Sequence, residues 1–391
     1  MITGIELRNF KCFRSLKLPI GRMTLLTGLN AAGKSTTIQS ILLLAQTLRA
    51  KEWGSDLWLN GPVVQLGSPG DVVKQDESET GIGIGIQSNS GTLDWGFVAV
   101  DREDERVLRV ADMEIRGAVL RKFHIESPLR QLLPDNVLEP GIRAILDNLR
   151  QTIFVSANRL VDTEVFPAPE DPDPIHADVG TLGEFAPWWL HHYDDMEVDG
   201  GRRLSGTETA STLRAQVNAW LQDLFPGAEA NTQPISKSRL MRLELRTGLT
   251  DDWHRPANTG YGLSYALPIL VAGLCARAGQ LLIVDSPEAH LHPRGQSRIG
   301  RFLAQVAGAG LQVLIETHSD HVLNSLRVAV RDQVLSSEDA RVYFFDPKLK
   351  MEPDATPVRA ISIDRAGNLS SWPEGFFDQA ESDLANLAGW A

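Results

Sequence analysis

The stretch Gly28-Leu29-Asn30-Ala31-Ala32-Gly33-Lys34-Ser35 decides the reading of this chain. It matches G-x-x-x-x-G-K-[ST], with Gly28, Gly33, Lys34 and Ser35 in the defining places. In such a loop the backbone N–H groups point at phosphates, and the N-terminus of the following helix adds its partial positive charge. Lys34 is expected to reach the β- and γ-phosphates, and the Ser35 hydroxyl to take a magnesium position. Asn30, Ala31, Ala32, Gly33, Lys34, Ser35 and Thr36 are therefore the expected nucleotide-binding segment, with ATP and Mg2+ as ligands.

The flanks agree with the loop. Upstream, ITGIELRNF, SLKLPI and MTLLTG alternate as two or three strands within residues 2 to 27. Downstream, TTIQSILLLAQTLRA carries Ile38, Ile41, Leu42, Ala45 and Leu48 at helical spacing. Residues 80 to 125 read as short strands with turns, and TIFVSA (Thr152 to Ala157) as a further strand. PAPEDPDP, Pro167 to Pro174, holds four prolines and three acids and reads as an exposed loop. Thr207 to Phe225 reads as a helix capped by Thr207 or Thr209. From Leu281 the pattern runs LLIVD, RGQSRIGRFLAQVAGAG, QVLIET, SDHVLNSLRVAVRD, a strand-helix-strand-helix order that predicts a parallel α/β sheet. Neither internal repeats nor a heptad run is present, so no long coiled coil is expected.

Composition narrows the class. The chain has 391 residues, 42% of them hydrophobic and 23% charged, which suits a globular protein able to bury a sizeable core. The longest apolar stretch, Ala266 to Ala276, is broken by Pro268 and falls short of the roughly 20 residues a membrane helix requires. The N-terminus shows no basic-then-apolar leader. Cys12 and Cys275 lie far apart and offer no disulfide framework or metal cluster. These features predict a cytoplasmic protein with no membrane partner. The net charge of −12 argues against nonspecific coating of nucleic acid. Residues 1 to 51 nevertheless carry eight basic residues and one acid, Glu6. That excess fits a phosphate-binding lobe with solvated strand faces, and DNA is the sharper alternative ligand.

Three further segments bear on chemistry. LLIVDSPEAHLHP (Leu281 to Pro293) describes a buried strand that delivers Asp285 to its C-terminal edge, where ligands of open α/β sheets sit. Asp285 is expected to hold magnesium. Ser286 follows where an acid is usual, so Glu288 is the substitute candidate for the general base, with a structural acid as the plain alternative. His290 and His292, two imidazoles without a thiol, do not make a zinc site. VLIETHSDHVL (Val313 to Leu323) ends a second strand near His318, 33 residues after Asp285, the length of one βαβ unit. His318 is thereby expected beside Asp285, in reach of a γ-phosphate. NTGYGLSYALPIL (Asn258 to Leu270) has Gly260 and Gly262 for close backbone approach, and Ser264 is expected to open an apolar helix.

In this order the segments resemble the ABC-type ATPases of the RecF/SMC class: GLNAAGKS its Walker A, NTGYGLSYALP its signature, LLIVDSPEAHLHP its Walker B and D-loop, THSDH its switch-histidine loop. ITGIELRNFKCF is similar to the N-terminal strands of that class. More narrowly, PEAHLHPRGQS, ETHSDHVLN, WPEGFFDQ, VSANR and VGTLGEFA look like small bacterial OLD-like AAA ATPases without a TOPRIM domain. The resemblance implies an α/β, ABC-type P-loop head with mixed and parallel sheet and a middle insertion. It divides the chain into lobes at 1–100 and 246–345, a helical insertion at 101–245 and a C-terminal docking segment at 346–391. It also implies that two heads sandwich two nucleotides, with Gly262 and Ser264 acting across a homodimer, and that Gln65 in VVQLGS matches the Q-loop glutamine at the metal. Lys34, Asp285, Glu288 and His318 are its catalytic set, and Ser35, Gln65 and Asp285 its metal set.

The expected function is an ATP-driven switch that controls a separate effector such as a nuclease, in bacterial antiphage defence or DNA maintenance. Two departures qualify it. Ser286 implies slow hydrolysis or a displaced base, and the roughly 70 residues after His318 are too few for a TOPRIM nuclease domain. Glu374 and Asp378, beside Trp372, Phe376 and Phe377, read as part of a packing segment. A self-contained metal-dependent nuclease and a nucleotide-sensing scaffold with little hydrolysis remain the alternatives.

Overall fold

The computed structural model describes residues 1–74, 81–102, 105–137, 139–170, 177–206, 209–248, 250–347, 357–377 and 379–388. In chain order these form β1 (Ile2–Phe10), β2 (Phe13–Pro19), β3 (Met23–Gly28), α1 (Lys34–Ala50), α2 (Pro69–Val72), β4 (Gly81–Ser88), β5 (Gly91–Arg102), β6 (Glu105–Arg116), β7 (Leu120–His124), α3 (Pro140–Arg150), β8 (Ile153–Val155), β9 (Val165–Pro167), α4 (Ala186–His192), α5 (Leu213–Leu224), β10 (Glu229–Pro234) and β11 (Leu240–Arg246). The remainder are α6 (Tyr261–Cys275), β12 (Leu281–Asp285), α7 (Pro293–Gly308), β13 (Gln312–Glu316), α8 (Asp320–Arg331), β14 (Ala340–Phe345), β15 (Val358–Ile361) and α9 (Gln379–Leu387). Two compact units arise: Met1–Gly21 with Asn30–Thr152 and Phe345–Val358, and Arg22–Leu29 with Ile153–Phe344 and Arg359–Ala391.

The first unit is built on an antiparallel sheet of order β2-β1-β4-β5-β6-β7. Its strands are longer than the sequence predicts for 80 to 125: β5 and β6 run 12 residues each and pair along their length, with a register shift between Gly96 and Phe97. The run GIGIGI in β4 alternates at period two. Ile82, Ile84 and Ile86 are buried, while the intervening glycines leave room for an ion pair on the opposite face. A Cβ on Gly83 would meet the Arg8 guanidinium at 2.5 Å, and one on Gly85 the Asp94 carboxylate at 2.9 Å. Arg8 and Asp94 are joined by two hydrogen bonds there, Nη1 to Oδ2 at 2.7 Å and a shorter contact from Nη2. The N-terminal basic excess is therefore partly neutralised within the sheet, with Lys17 also paired to Glu6 at 2.9 Å.

Helix α1 is buried over most of its length, from Lys34 through Leu48. Gln46, 1% exposed, ties it to the following loop by accepting from Val64 N at 2.9 Å and donating to Val64 O at 3.1 Å. Arg49 near its C-terminus donates to the carbonyl of Arg150 at 2.6 Å, fixing α1 against α3.

The second unit is organised by a sheet of order β15-β14-β3-β13-β12-β8. β3, β13, β12 and β8 run parallel, with Leu26 opposite Glu316, Glu316 opposite Asp285 and Val155 opposite Val284. Their near-continuous apolar runs suit strands covered on both faces. Around them α5, α6, α7 and α8 pack in sequence, and Phe302 meets Trp220 edge-on at 5.0 Å. A smaller antiparallel sheet, β10-β11-β9, completes the unit.

Three local expectations are corrected. Helix α5 begins at Leu213 after an N-cap at Thr212, so Thr209 does not cap it, and Thr207 lies outside the described residues. Pro167 ends strand β9 instead of opening a loop, because strand β11 pairs with it there. The rest of that loop is described as far as Glu170, whose carbonyl accepts from Arg239 at 2.8 Å, and residues 171–174 lie outside the described residues. Ser264 is the fourth residue of α6 and not its opening one, since Gly260 at φ 80° is the N-cap and Tyr261 starts the helix. The C-terminal aromatics pack as expected: Phe376 is 1% exposed and meets Phe344 at 5.5 Å and Trp372 at 5.0 Å. Glu374 is exposed, and Asp378 lies outside the described residues. Among the described residues no helix is long and apolar enough to cross a membrane.

Candidate functional site

The parallel order β3-β13-β12 brings three chain segments to one carboxyl edge of the second unit. These are the end of β3 at Gly28, the β13 exit at Thr317 and His318, and the β12 exit at Asp285 and Ser286. Backbone hydrogen bonds extend the ladder past the strands: Thr317 N donates to Leu26 O at 3.0 Å, and Ser286 N to Glu316 O at 2.9 Å. Adjacent parallel strands thus place Asp285 and His318 side by side at that edge, which the βαβ spacing predicted.

From Gly28 the chain runs into the phosphate loop. Gly28 (φ 123°), Ala31 (φ 58°) and Gly33 (φ 116°) all take positive φ. Such reversals turn successive amide N–H groups toward one concavity, the arrangement that binds anions. Gly33 has no alternative residue. Its φ favours glycine, and a Cβ there would stand 2.3 Å from the Phe13 ring and 2.9 Å from Cys12 Sγ. Asn30, Ala31 and Ser35 are exposed, Thr36 is half-buried, and Ala32 and Lys34 are buried. Gln65 is exposed, on the loop that Gln46 anchors, opposite Asn60 in an isolated bridge.

At the sheet edge each acid has a defined partner. Asp285 Oδ1 accepts from the Ser286 hydroxyl at 2.9 Å. Ser286 sits at φ 49°, a conformation rare for a non-glycine residue. Glu288 accepts from Thr317 Oγ1 at 2.8 Å and from the His318 amide at 2.7 Å. The acid expected as a base therefore also holds the chain after β13, where His318 is exposed. His290 and His292 have separate structural duties. His290 packs against Tyr265 at 4.5 Å and Tyr261 at 5.5 Å, and His292 caps α7 by accepting from Arg294 N at 3.4 Å.

The signature segment follows. Gly262 approaches the His290 carbonyl closely enough that a Cβ would lie 3.1 Å from it. Ser264 is buried, and its hydroxyl has no hydrogen-bond partner among the described residues. Sequence reasoning did not single out Arg159. It is 5% exposed, donates through Nη2 to Asp285 O at 2.6 Å and Ser286 O at 3.2 Å, and stacks over Tyr265 at 5.2 Å. Burial lowers its pKa to about 10, opposed by Asp285, Tyr265 and Glu288. Its signal in the sequence is its place at the end of VSANR, one of the segments that look like the OLD-like ATPases, where it carries no assigned role.

Comparison with known proteins agrees with this fold. The family described as "AAA domain, putative AbiEii toxin, Type IV TA system" matches residues 217–324. A second, described as "Protein of unknown function (DUF3696)", matches residues 335–387. An "OLD nuclease" of Thermus scotoductus is 20% identical over 361 residues, 88% of this chain and 63% of that protein. A Smc head bound to the C-winged helix domain of ScpA superposes with TM-score 0.53 at 13% identity, covering 93% of this chain and 98% of that one. The Smc head with an extended coiled coil from Pyrococcus furiosus, bound to the C-terminal domain of ScpA, gives TM-score 0.54 at 11% identity, with 99% of each chain covered. The fold is that of the Smc heads, and residues 217–324 are similar to an AAA-type domain. The mixed α/β fold of those heads covers nearly the whole chain. The chain spans 63% of the length of the OLD nuclease that it resembles.

Proposed function

We propose that this chain is an ATP-hydrolysing switch: ATP closes two copies into a homodimer, hydrolysis reopens it, and a separate effector such as a nuclease responds. The observation that carries the reading is the shared carboxyl edge, where the phosphate loop departs from β3 beside the β13 and β12 exits. Lys34 and the loop amides from Asn30 to Thr36 hold the phosphates. Ser35, Asp285 and Gln65 are the residues that would hold Mg2+. The left-handed Gly33, filled on its Cβ side by Phe13 and Cys12, fits a loop whose backbone must approach phosphate closely.

Magnesium, when bound, would supply charge withdrawal from the phosphate. Within the protein, Lys34 neutralises the developing charge and His318 reports the γ-phosphate. Glu288 supports hydrolysis, since a carboxylate that accepts two hydrogen bonds retains lone pairs for water. The absence of an acid at 286 makes this turnover slow. Gly262 and Ser264, at the start of α6, complete the partner's nucleotide site in the dimer. The solved SMC heads bound to ScpA support a protein partner for a head of this fold. By the same resemblance the setting is bacterial antiphage defence or DNA maintenance, in the cytoplasm, with DNA as a further ligand.

The test is ATP turnover and mass in solution, with and without ATP, for wild type and Lys34→Ala. ATP-dependent doubling of mass and turnover, both absent in Lys34→Ala, are expected. A wild type that neither binds nor hydrolyses ATP ends the proposal. A second reading, nuclease activity in this chain itself, is favoured by the OLD nuclease relative. Metal-dependent cleavage of plasmid DNA by the purified chain would establish it.

A further inference from the structure

Arg159 has no place in the mechanism above, yet its environment is costly to build. A single nitrogen, Nη2, bridges the consecutive carbonyls of Asp285 and Ser286. Nε and Nη1 are buried with no hydrogen-bond partner among the described residues. A guanidinium serving only to fill space would be replaced without loss by an apolar side chain, because buried charge with unmet donors opposes folding. Here the charge occupies a particular junction. One flank is the Asp285–Ser286 turn, held with Ser286 at φ 49°. The other is the ring of Tyr265, 5.2 Å away, on α6 immediately after Ser264. The contacts continue along the same route, since Tyr265 also packs on His290 at 4.5 Å, beyond Glu288 in the same loop.

We propose that Arg159 is a positioning residue that couples the Ser264 helix to the Asp285–Ser286 turn, so that engagement of α6 by a partner's nucleotide adjusts this subunit's own metal carboxylate. The inference rests on the ATP-switch reading and names its regulation. A displacement of α6 moves the Tyr265 face against the guanidinium. The carbonyls of 285 and 286 then move with it, because they share one donor. The two unmet donors give the guanidinium a second set of hydrogen bonds to adopt in the engaged state, as a two-state coupling element requires.

The experiment is a double-mutant cycle on the full chain with Arg159→Met, Tyr265→Leu and the pair, read in two ways. The first is the steady-state kinetics of Mg·ATP hydrolysis. The second is amide hydrogen exchange across residues 286–291 in the nucleotide-free protein. Each single substitution is expected to lower kcat about tenfold with KM for ATP within about threefold, and the pair to be no worse than Arg159→Met alone. Exchange in the turn is expected to rise in each single variant and no further in the pair. Arg159→Lys, which keeps a donor but not the flat stack, is expected to recover the thermal midpoint without recovering kcat. Additive effects in both readouts, or wild-type kcat in Arg159→Met, overturn the proposal. If wild-type turnover does not exceed that of Lys34→Ala, the ATPase reading fails by itself, and the exchange cycle still decides whether Arg159 couples helix and turn.

Discussion

The carboxylate of Glu288 holds the backbone of His318. One oxygen accepts the His318 amide at 2.7 Å, and the other accepts the Thr317 hydroxyl at 2.8 Å. The turn after β12 and the turn after β13 therefore move as one piece. A glutamine keeps one acceptor and replaces the other with a donor that faces a donor. Glu288→Gln is expected to lower kcat about tenfold or more while ATP affinity changes less than about threefold. Glu288→Ala is expected to lower kcat further and to raise amide exchange at His318 and Ser319. Wild-type turnover in Glu288→Gln would remove Glu288 from the chemistry.

Removal of the Ser264 hydroxyl separates stability from assembly. In the isolated chain this buried group lacks a hydrogen-bond partner among the described residues, so its burial is uncompensated. Ser264→Ala is expected to leave stability unchanged or to raise it by about 1 kcal/mol, measured by urea denaturation. If α6 completes a partner's site, the same variant loses ATP-dependent dimerisation in light-scattering measurements. A bulkier replacement here would unfold the helix packing and test nothing about the dimer.

Gly33→Ala tests the phosphate loop through backbone geometry. The added methyl meets Phe13 and Cys12, and alanine at φ 116° is strained. A loss of about 1–3 kcal/mol in urea denaturation is expected, together with loss of ATP binding by equilibrium dialysis. Unchanged binding would show that the loop does not hold phosphate through its backbone.

Burial raises the pKa of Glu184 above its ordinary 4.5, while hydrogen bonds from backbone N–H groups, one of them that of Leu182, oppose the shift. Between the unfolded and the folded pKa the native chain binds the extra proton, so stability falls as pH rises through that window. The contribution is complete below 4.5 and is gone once pH passes the raised native value. Glu184→Gln is expected to flatten this part of the stability–pH curve and to match or exceed wild type at pH about 7. A curve that keeps its slope in the variant would place the titration elsewhere.

Burial also pushes the Cys275 thiol up to about 12. At pH about 8 only about one molecule in ten thousand then carries the thiolate that reacts. Iodoacetamide is expected to leave Cys275 unmodified in the native protein and to modify it in urea, read by peptide mass. Rapid native labelling would show that the thiol is not held in its protonated form by burial.

Much of the fold was legible from one dimension. The phosphate loop, the three strands before it and helix α1 follow from glycine placement and hydrophobic period, both of which are local properties. The apolar runs Leu281–Val284 and Val313–Ile315 announced buried parallel strands, and their spacing announced adjacency. Local signals misled where a tertiary partner took over. Pro167 joins a strand because β11 pairs with it, and Ser264 lies inside a helix that starts at Tyr261.

What the sequence by itself determined, then, was the glycine-rich loop between β3 and α1 and the order of the elements around it. The G-x-x-x-x-G-K-S pattern of Gly28 to Ser35 depends on residues that are neighbours in the chain. Only the tertiary structure decided that Glu288 grips the His318 turn, that the Ser264 hydroxyl is buried without a partner, and that Arg159 bridges Asp285 and Tyr265. The physical reason is distance along the chain. Arg159 and Asp285 are separated by 126 positions, and no local propensity records which two carbonyls a distant guanidinium meets once the parallel sheet has closed.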